Sequence, residues 1–499
     1  MTDTLLALTP ETSLNRPTGP IGNFAEGDRL NRRFHQLVPG ASHTYSKGED
    51  QFPLLSPKIM ARADGAYCWD IDGNRYIDWA MGNRVIMLGH NYPAVTEAVV
   101  RQLGLGLNFT RPGVLEYELA EYLVDLLPAA EMVKFGKNGS DVTTAATKLA
   151  RAYTGRKMIA CCVDHPFFAI HDWFIGTTPM NAGIPDETTA LTIGFRYNDA
   201  AGLRVLFDRY PGQIAAVILE PVKNDAPVNG FLEELRELTR REGAVLIFDE
   251  MISGIRFDLR GAHHRWGVYP DLACYGKAMS NGYSFSLLAG NRDLMELGGL
   301  QHDGRRVFLL SQTHSSETTG LAACRATLDE CQRLDVTQHI WTTGGQLVRG
   351  VREAARQVGL SDYVRVIGFD CNPQILCTHD DGTYWPELHT LFHEELISWG
   401  VLIPWITVTW SHGPDEINRT IDAMGHAMRR VRRVLENGAV ETSFTGPAVK
   451  PVLRPYNRCR QSRCNRIDPD APQLSCCREN GFPEVPPRAA EVAGVSHAS

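Results

Sequence analysis

Three ionisable side chains stand where short apolar runs end in the middle of this sequence. Glu220 closes AVIL, Asp249 closes VLIF, and Lys277 follows LACY by a single glycine. A fourth feature, Asn138-Gly139-Ser140, lies just beyond MVKF and opens a stretch with apolar residues at Val142, Ala145, Ala146, Leu149 and Tyr153. A lysine placed one strand crossover beyond an acidic residue is a candidate Schiff-base amine, partly desolvated by its surroundings. A carboxylate ending an all-apolar strand could hold a heterocyclic nitrogen in its protonated state; it is equally an ordinary strand-exit residue in water. Backbone N–H groups and a hydroxyl at 138–140 would favour a phosphate at a helix N-terminus, and read alone they are also a turn followed by a helix cap. Most single lysines are solvated surface charges, so the constellation and its spacing carry the argument.

The elements that must position these groups follow from the hydrophobic pattern. MVKF at 132–135, IAAVIL at 214–219, VLIF at 245–248 and LACY at 272–275 read as short strands. Helix-like stretches separate them between Pro93 and Asn291, which predicts an α/β fold of stacked βαβ units around a mainly parallel sheet. Ligands of such sheets sit beyond the carboxyl ends of the strands, where these candidate groups fall. From Pro57 to Met81, the turn signals ADG and IDGNR between apolar-aromatic runs predict a small antiparallel meander. After Glu317, TTGLAACRATLDECQRL predicts a long helix leading into a smaller α+β region that ends near Asn437. The expected organisation is an N-terminal arm and small-domain segment over 1–92, a large α/β domain over 93–330, and a C-terminal small domain over 331–437. Residues 438–499 are Pro-, Arg- and Cys-rich and read as a disordered tail without a packed core.

In order and spacing, several segments together resemble the class III pyridoxal-5'-phosphate (PLP) aminotransferases, most closely the branch containing glutamate-1-semialdehyde 2,1-aminomutase. They are PGASHTYSKG, WDIDGNRYIDW, MGNRVIMLGHNYPAV, FGKNGSDVTTAATKLAR, HDWFIGTT, ILEPV, LIFDEMISGIR, PDLACYGKAMSNG and THSSETTGLAA. The resemblance runs from Leu37 to Asn437 and implies PLP-transferase fold type I, with a large domain around a mainly parallel sheet and a smaller α+β domain built from N- and C-terminal segments. It implies that Lys277 carries PLP as a Schiff base and that Asp249 pairs with the pyridine nitrogen. Asn138, Gly139 and Ser140 match the phosphate cradle, Phe167 the aromatic residue stacked on the ring, and Glu220 and Met251 the residues beside it. Thr313 matches the threonine that reaches the phosphate of a neighbouring subunit, which implies a homodimer with shared active sites.

Departures from the family pattern bear on the substrate. Lys47 stands where the aminomutase has an arginine for the substrate carboxylate, and a lysine offers a point charge without the bidentate fork. Residues 401–413 contain no arginine. Phe167 lies in DHPFFAI in place of the usual Tyr-His-Gly, KNGSD replaces NSGTE, and THSSET replaces GTxxGNP. The expected activity is transfer of an amino group from a small-molecule donor to a keto or aldehyde acceptor by way of pyridoxamine phosphate. The alternatives are intramolecular transfer of the aminomutase type, a PLP decarboxylase or racemase, and a PLP-fold binding protein that has lost catalysis. His165, His171 and His412 read as structural, because the lysine performs the proton transfers, and Asp172 and Trp173 as packing for the loop around the cofactor.

Composition narrows the remaining classes. Hydrophobic residues make up 43% and charged residues 22% of the 499, which is ordinary for a globular chain. A net charge of -8 offers no general attraction to nucleic acid or anionic membranes. No basic-then-apolar leader and no apolar run of about 18 residues is present, so a cytoplasmic protein is expected. Of 12 cysteines, eight scatter between Cys68 and Cys377 as thiols of a reducing compartment would. Cys459, Cys464, Cys476 and Cys477 fit no standard zinc spacing, and no metal site is expected.

Overall fold

In the computed structural model, which describes residues 21–454 and 457, the chain first reverses on two glycines with positive φ, Gly65 (53°) and Gly73 (86°). These turns join β1 (Met60–Asp64), β2 (Tyr67–Asp70) and β3 (Arg75–Asp78) into the expected antiparallel meander. A residue with a Cβ would resist the left-handed backbone there.

The central sheet holds β4 (Met132–Gly136), β5 (Met158–Cys162), β6 (Thr192–Phe195), β7 (Ile214–Leu219), β8 (Val245–Asp249), β9 (Leu272–Gly276) and β10 (Ser286–Gly290). Every residue of β5, β7, β8, β9 and β10 is buried, as happens when helices cover both faces of a sheet. The strand order is β4-β10-β9-β8-β7-β5-β6. Strands β7, β8 and β9 are parallel neighbours, while β10 runs antiparallel to both β9 and β4. Three adjacent carboxyl ends therefore share one edge, and Glu220, Asp249 and Lys277 stand at them in that order.

Beyond the sheet, helices Thr318–Arg333 and Val336–Gln357 lead to the hairpin β11 (Val364–Phe369) and β12 (Asn372–Cys377). After helix Pro386–Ser398, β13 (Val401–Leu402) pairs in parallel with β3 and completes a four-stranded sheet β1-β2-β3-β13. N- and C-terminal segments thus build one small sheet. No helix among the described residues is long and apolar enough to cross a membrane.

One boundary moves. The helix Pro414–Asn437 ends at Gly438 (φ 62°), but the chain beyond it packs rather than leaving the surface. Val440 and Val449 are buried. Thr445 N donates to Glu394 Oε2 and Val449 N to Thr390 Oγ1, both at 2.9 Å, and Arg454 pairs with Asp50. The reading of everything after 437 as a loose tail is therefore corrected as far as Arg454: polar side chains of helix Pro386–Ser398 supply partners that no local apolar periodicity reveals. The arm over 1–20 and the cysteines at 459, 464, 476 and 477 lie outside the described residues. The eight other cysteines are buried and unpaired.

Trp79, just past β3, ties the meander to the C-terminal helix. Its ring stacks on His412 at 4.0 Å and 2°, and Nε1 donates to Thr420 Oγ1 at 3.0 Å. Trp79→Ala is expected to cost about 3–5 kcal/mol in chemical denaturation; a loss below about 1 kcal/mol would contradict this role.

Candidate active site

Strand β9 ends at Gly276, where an added Cβ would meet Met251 Sδ at 2.9 Å and the Phe285 carbonyl oxygen at 3.1 Å. A side chain there would have to displace Met251 and crowd the Phe285 carbonyl, so glycine suits the entry to the lysine loop. Lys277 then adopts φ 48°, left-handed backbone that non-glycine residues rarely take. Its loop ends at Asn281 (φ 46°), whose Oδ1 accepts from Met87 N (2.9 Å) and Leu88 N (2.8 Å) and whose Nδ2 donates to the Gly89 carbonyl (2.9 Å). This clamp over-determines the strained lysine loop and binds it to the 87–89 segment.

The charges gathered at the edge set one another's state. Burial pushes the Lys277 amine down to about 8, although Asp249 and Glu220 pull the other way. Burial, and then repulsion from Glu220, pushes Asp249 up to about 7 against the Met251 N–H that donates to its Oδ1 at 3.0 Å. Burial would raise Glu220 as well, but Lys223 Nζ at 3.0 Å from Oε1 and the nearby His165 and Lys277 hold it below the usual carboxylate range. Glu220 Oε2 is buried without a partner. His165 Nδ1 accepts from Glu220 N at 3.0 Å, and burial lowers that ring to about 4, so it stands neutral as a positioning group. Glu250, next to Asp249, is turned away: its Oε1 accepts from the backbone and Nδ1 of His263, and its Oε2 from Ser253 Oγ.

Met251 joins this edge to the loop before helix Gly139–Thr154. A Cβ on Gly139 would lie 3.0 Å from Met251 Sδ, so the same side chain packs against Gly139 and Gly276. Asp141 Oδ2 accepts from Asn138 N (2.8 Å) and Lys137 N (3.1 Å), fixing the entry to the helix. Ser140 Oγ accepts from Ile170 N at 3.0 Å, which leaves its hydroxyl proton available to a ligand.

Of the residues expected from sequence, Lys277, Asp249, Glu220, Met251 and Gly139 are brought together, with Asn138 and Ser140 flanking Gly139. Phe167 is 48% exposed and packs edge-on against Phe174 at 5.7 Å. Thr313 lies on an exposed segment whose carbonyl accepts from Asn108 Nδ2 at 2.9 Å. Lys47 is exposed, and its neighbour Ser46 touches Asn83 at 3.1 Å. His412 is buried against Trp79, and His171 Nδ1 meets Thr144 Oγ1 at 2.8 Å.

Two cations at the site escaped the sequence reading, Lys223 and Arg84. Arg84 ends a run of four left-handed residues, Met81 (44°), Gly82 (60°), Asn83 (69°) and Arg84 (67°). Left-handed helical backbone costs roughly 1–2 kcal/mol for each residue with a Cβ. The Gly-Asn pair in MGNR was the available sequence signal.

The family model described as aminotransferase class-III matches residues 44–375. The chain belongs to the class III aminotransferases. Glutamate-1-semialdehyde 2,1-aminomutase of Pelotomaculum thermopropionicum is 34% identical over 434 residues, covering 81% of this chain and 98% of that one. The same enzyme of Chloroflexus aurantiacus is 35% identical over 324 residues, covering 62% and 70%. Among solved structures, the FumI protein of Sphingopyxis sp. MTA144, in its PLP internal aldimine form, superposes with a TM-score of 0.76 at 26% identity, covering 82% and 97%. An omega-transaminase from Sphaerobacter thermophilus gives 0.74 at 26%, covering 81% and 98%. The fold is that of the type I PLP enzymes, as expected.

A class III aminotransferase uses PLP, and the residues present fit it. The N-terminus of a 16-residue helix opens at Gly139 with the Ser140 hydroxyl proton free to donate, and a desolvated amine stands near a carboxylate with a raised proton affinity. The neutral amine is the form that attacks a carbonyl. Mixing apoprotein with PLP in a stopped-flow absorbance experiment should therefore show bond formation accelerating as pH rises and levelling above about 8. Continued acceleration to about 10 would mark Lys277 as an ordinary lysine.

Proposed function

We propose that this class III aminotransferase moves an amino group between two small molecules, from an amino donor to a keto or aldehyde acceptor. The observation that supports this most is the desolvated Lys277 amine held at the sheet edge with Asp249 and Glu220. When bound, PLP supplies an electron sink for the carbon that loses its proton. Lys277 would bind it covalently, and Asn138, Gly139 and Ser140 would take its phosphate at the helix N-terminus. Asp249 would hold a proton on the ring nitrogen, Met251 and Phe167 would lie against the ring, and Glu220 would stand beside it. Once released by the incoming amine, the neutral Lys277 Nζ takes a proton from the carbon that bears the donor nitrogen and returns it during the transfer.

The second reading, intramolecular transfer of the aminomutase type, is favoured by the names of the curated relatives. Against it stands the exposed Lys47, which cannot fork onto a carboxylate. The assembly we propose is a homodimer in which Thr313 of one subunit serves the phosphate of the other. Exposed Leu105, Leu107, Phe109 and Phe308 around the Asn108–Thr313 contact support it. Eight buried, unpaired thiols support a cytoplasmic setting.

Excess L-glutamate added to the PLP-loaded protein is expected to convert the cofactor spectrum to the pyridoxamine form and release 2-oxoglutarate, with Lys277→Ala slowing the step about 10²–10⁴-fold. An unchanged spectrum, together with isomerisation of glutamate-1-semialdehyde, would replace this reading by the second. Light scattering should give twice the chain mass; a monomer would contradict the shared site.

A further inference from the structure

The charges at the site leave one cation over. Lys223 Nζ is paired with Glu220 Oε1 at 3.0 Å, and Lys277 would be consumed by its bond to the cofactor. Asp249 would be occupied by the ring nitrogen. Arg84 is then the cation without a bonded partner: Glu220 acts on it through space, but among the described residues its guanidinium has no hydrogen-bonding or ion-pairing partner, and Nε is buried. Arg84 is half-buried, with Nε shut off from solvent and no bond made by the terminal nitrogens, so the side chain is partly desolvated and free to take an anionic partner.

The backbone that carries Arg84 is held in place. Asp78 Oδ1 accepts from Ala80 N (2.8 Å) and Met81 N (3.1 Å), while its Oδ2 meets His90 Nε2 at 2.8 Å. Trp405 Nε1 donates to the Ala80 carbonyl at 2.9 Å. Downstream, Asn281 clamps Met87 and Leu88 to the Lys277 loop, and a Cβ on Gly282 would strike Ile86 at 2.7 Å. The left-handed turn is thus supported from both ends and registered directly against the lysine loop. Arg84 lies near enough to Lys277 and Glu220 for its charge to act on both. Strained backbone supported this thoroughly, at a site, is kept for what its side chain does.

We infer that Arg84 binds the carboxylate of an amino-acid or keto-acid substrate, taking the place of the arginine missing at Lys47 and from residues 401–413. A guanidinium is the side chain suited to a carboxylate, which it can grip with two parallel N–H donors. The cofactor phosphate is the competing oxyanion, but the helix N-terminus at Gly139 already offers it donors. This inference rests on the aminotransferase reading and names the substrate class of that site.

Arg84→Asn tests it with little risk to folding, because asparagine tolerates left-handed backbone; Arg84→Lys keeps the charge and loses the fork. L-Alanine and isopropylamine differ only by carboxylate against methyl. The ratio of their kcat/KM values on the PLP-loaded enzyme should fall about 10–100-fold in Arg84→Asn and less in Arg84→Lys. Propionate, which cannot react, should bind the loaded wild type in calorimetry, with a Kd at least about tenfold higher in Arg84→Asn. An unchanged ratio together with unchanged propionate binding overturns the inference, as does a wild type that binds no propionate. Loss of PLP affinity with an unchanged ratio overturns it in favour of the phosphate. If the wild type transaminates neither amine, the propionate comparison alone decides the role of Arg84, and the glutamate experiment separately decides the proposed function.

Discussion

Everything at this site depends on putting opposite charges at the carboxyl ends of three adjacent parallel strands and keeping water from them. Away from water, no one of the three groups at β7, β8 and β9 sets its own protonation. Lys277 loses its proton more readily because burial outweighs the two carboxylates beside it. Asp249 binds one more tightly because burial and Glu220 act in the same direction. The result is an amine that gives up its proton more readily than an ordinary lysine and a carboxylate of raised proton affinity at one sheet edge. His165, the ring nearest Glu220, is neutral and committed to a backbone N–H.

Holding that arrangement requires backbone that ordinary packing would avoid. Gly276 and Gly139 both press on Met251, so one flexible thioether sets the gap between the lysine loop and the helix entry. Lys277 and Asn281 take left-handed conformations, and the Asn281 side chain ties their loop to the segment beside Arg84. Of two strained turns, one bears the amine and the other an arginine, and the Asn281 amide ties the first to the segment that follows the second.

Much of this was legible in the sequence, for a physical reason. Strands β4, β7, β8 and β9 come within a residue of the runs predicted for them; for β7, β8 and β9 the reason is that strands covered on both faces are written as unbroken apolar stretches, while β4 is an edge strand with Lys134 exposed. The groups at their ends follow from that register. Strands β5, β6 and β10 were not read: TIGF is short and broken by glycine, and SLLAG returns antiparallel straight after the lysine loop. The packing of 438–454 rests on contacts with Asp50, Thr390 and Glu394, which no local pattern encodes. Arg84 was marked only faintly, by the Gly-Asn pair before it, for a related reason. Its position depends on left-handed φ at three residues with side chains and on a clamp from Asn281, and a window of sequence around MGNR shows neither.

The most direct test of the central claim, that Lys277 is the amine that takes the cofactor, is borohydride reduction of the PLP-loaded protein followed by peptide mass mapping. The account predicts a pyridoxyl-phosphate label on the peptide containing Lys277, absent from Lys277→Ala. A label on another lysine, or none on the wild type, would contradict it.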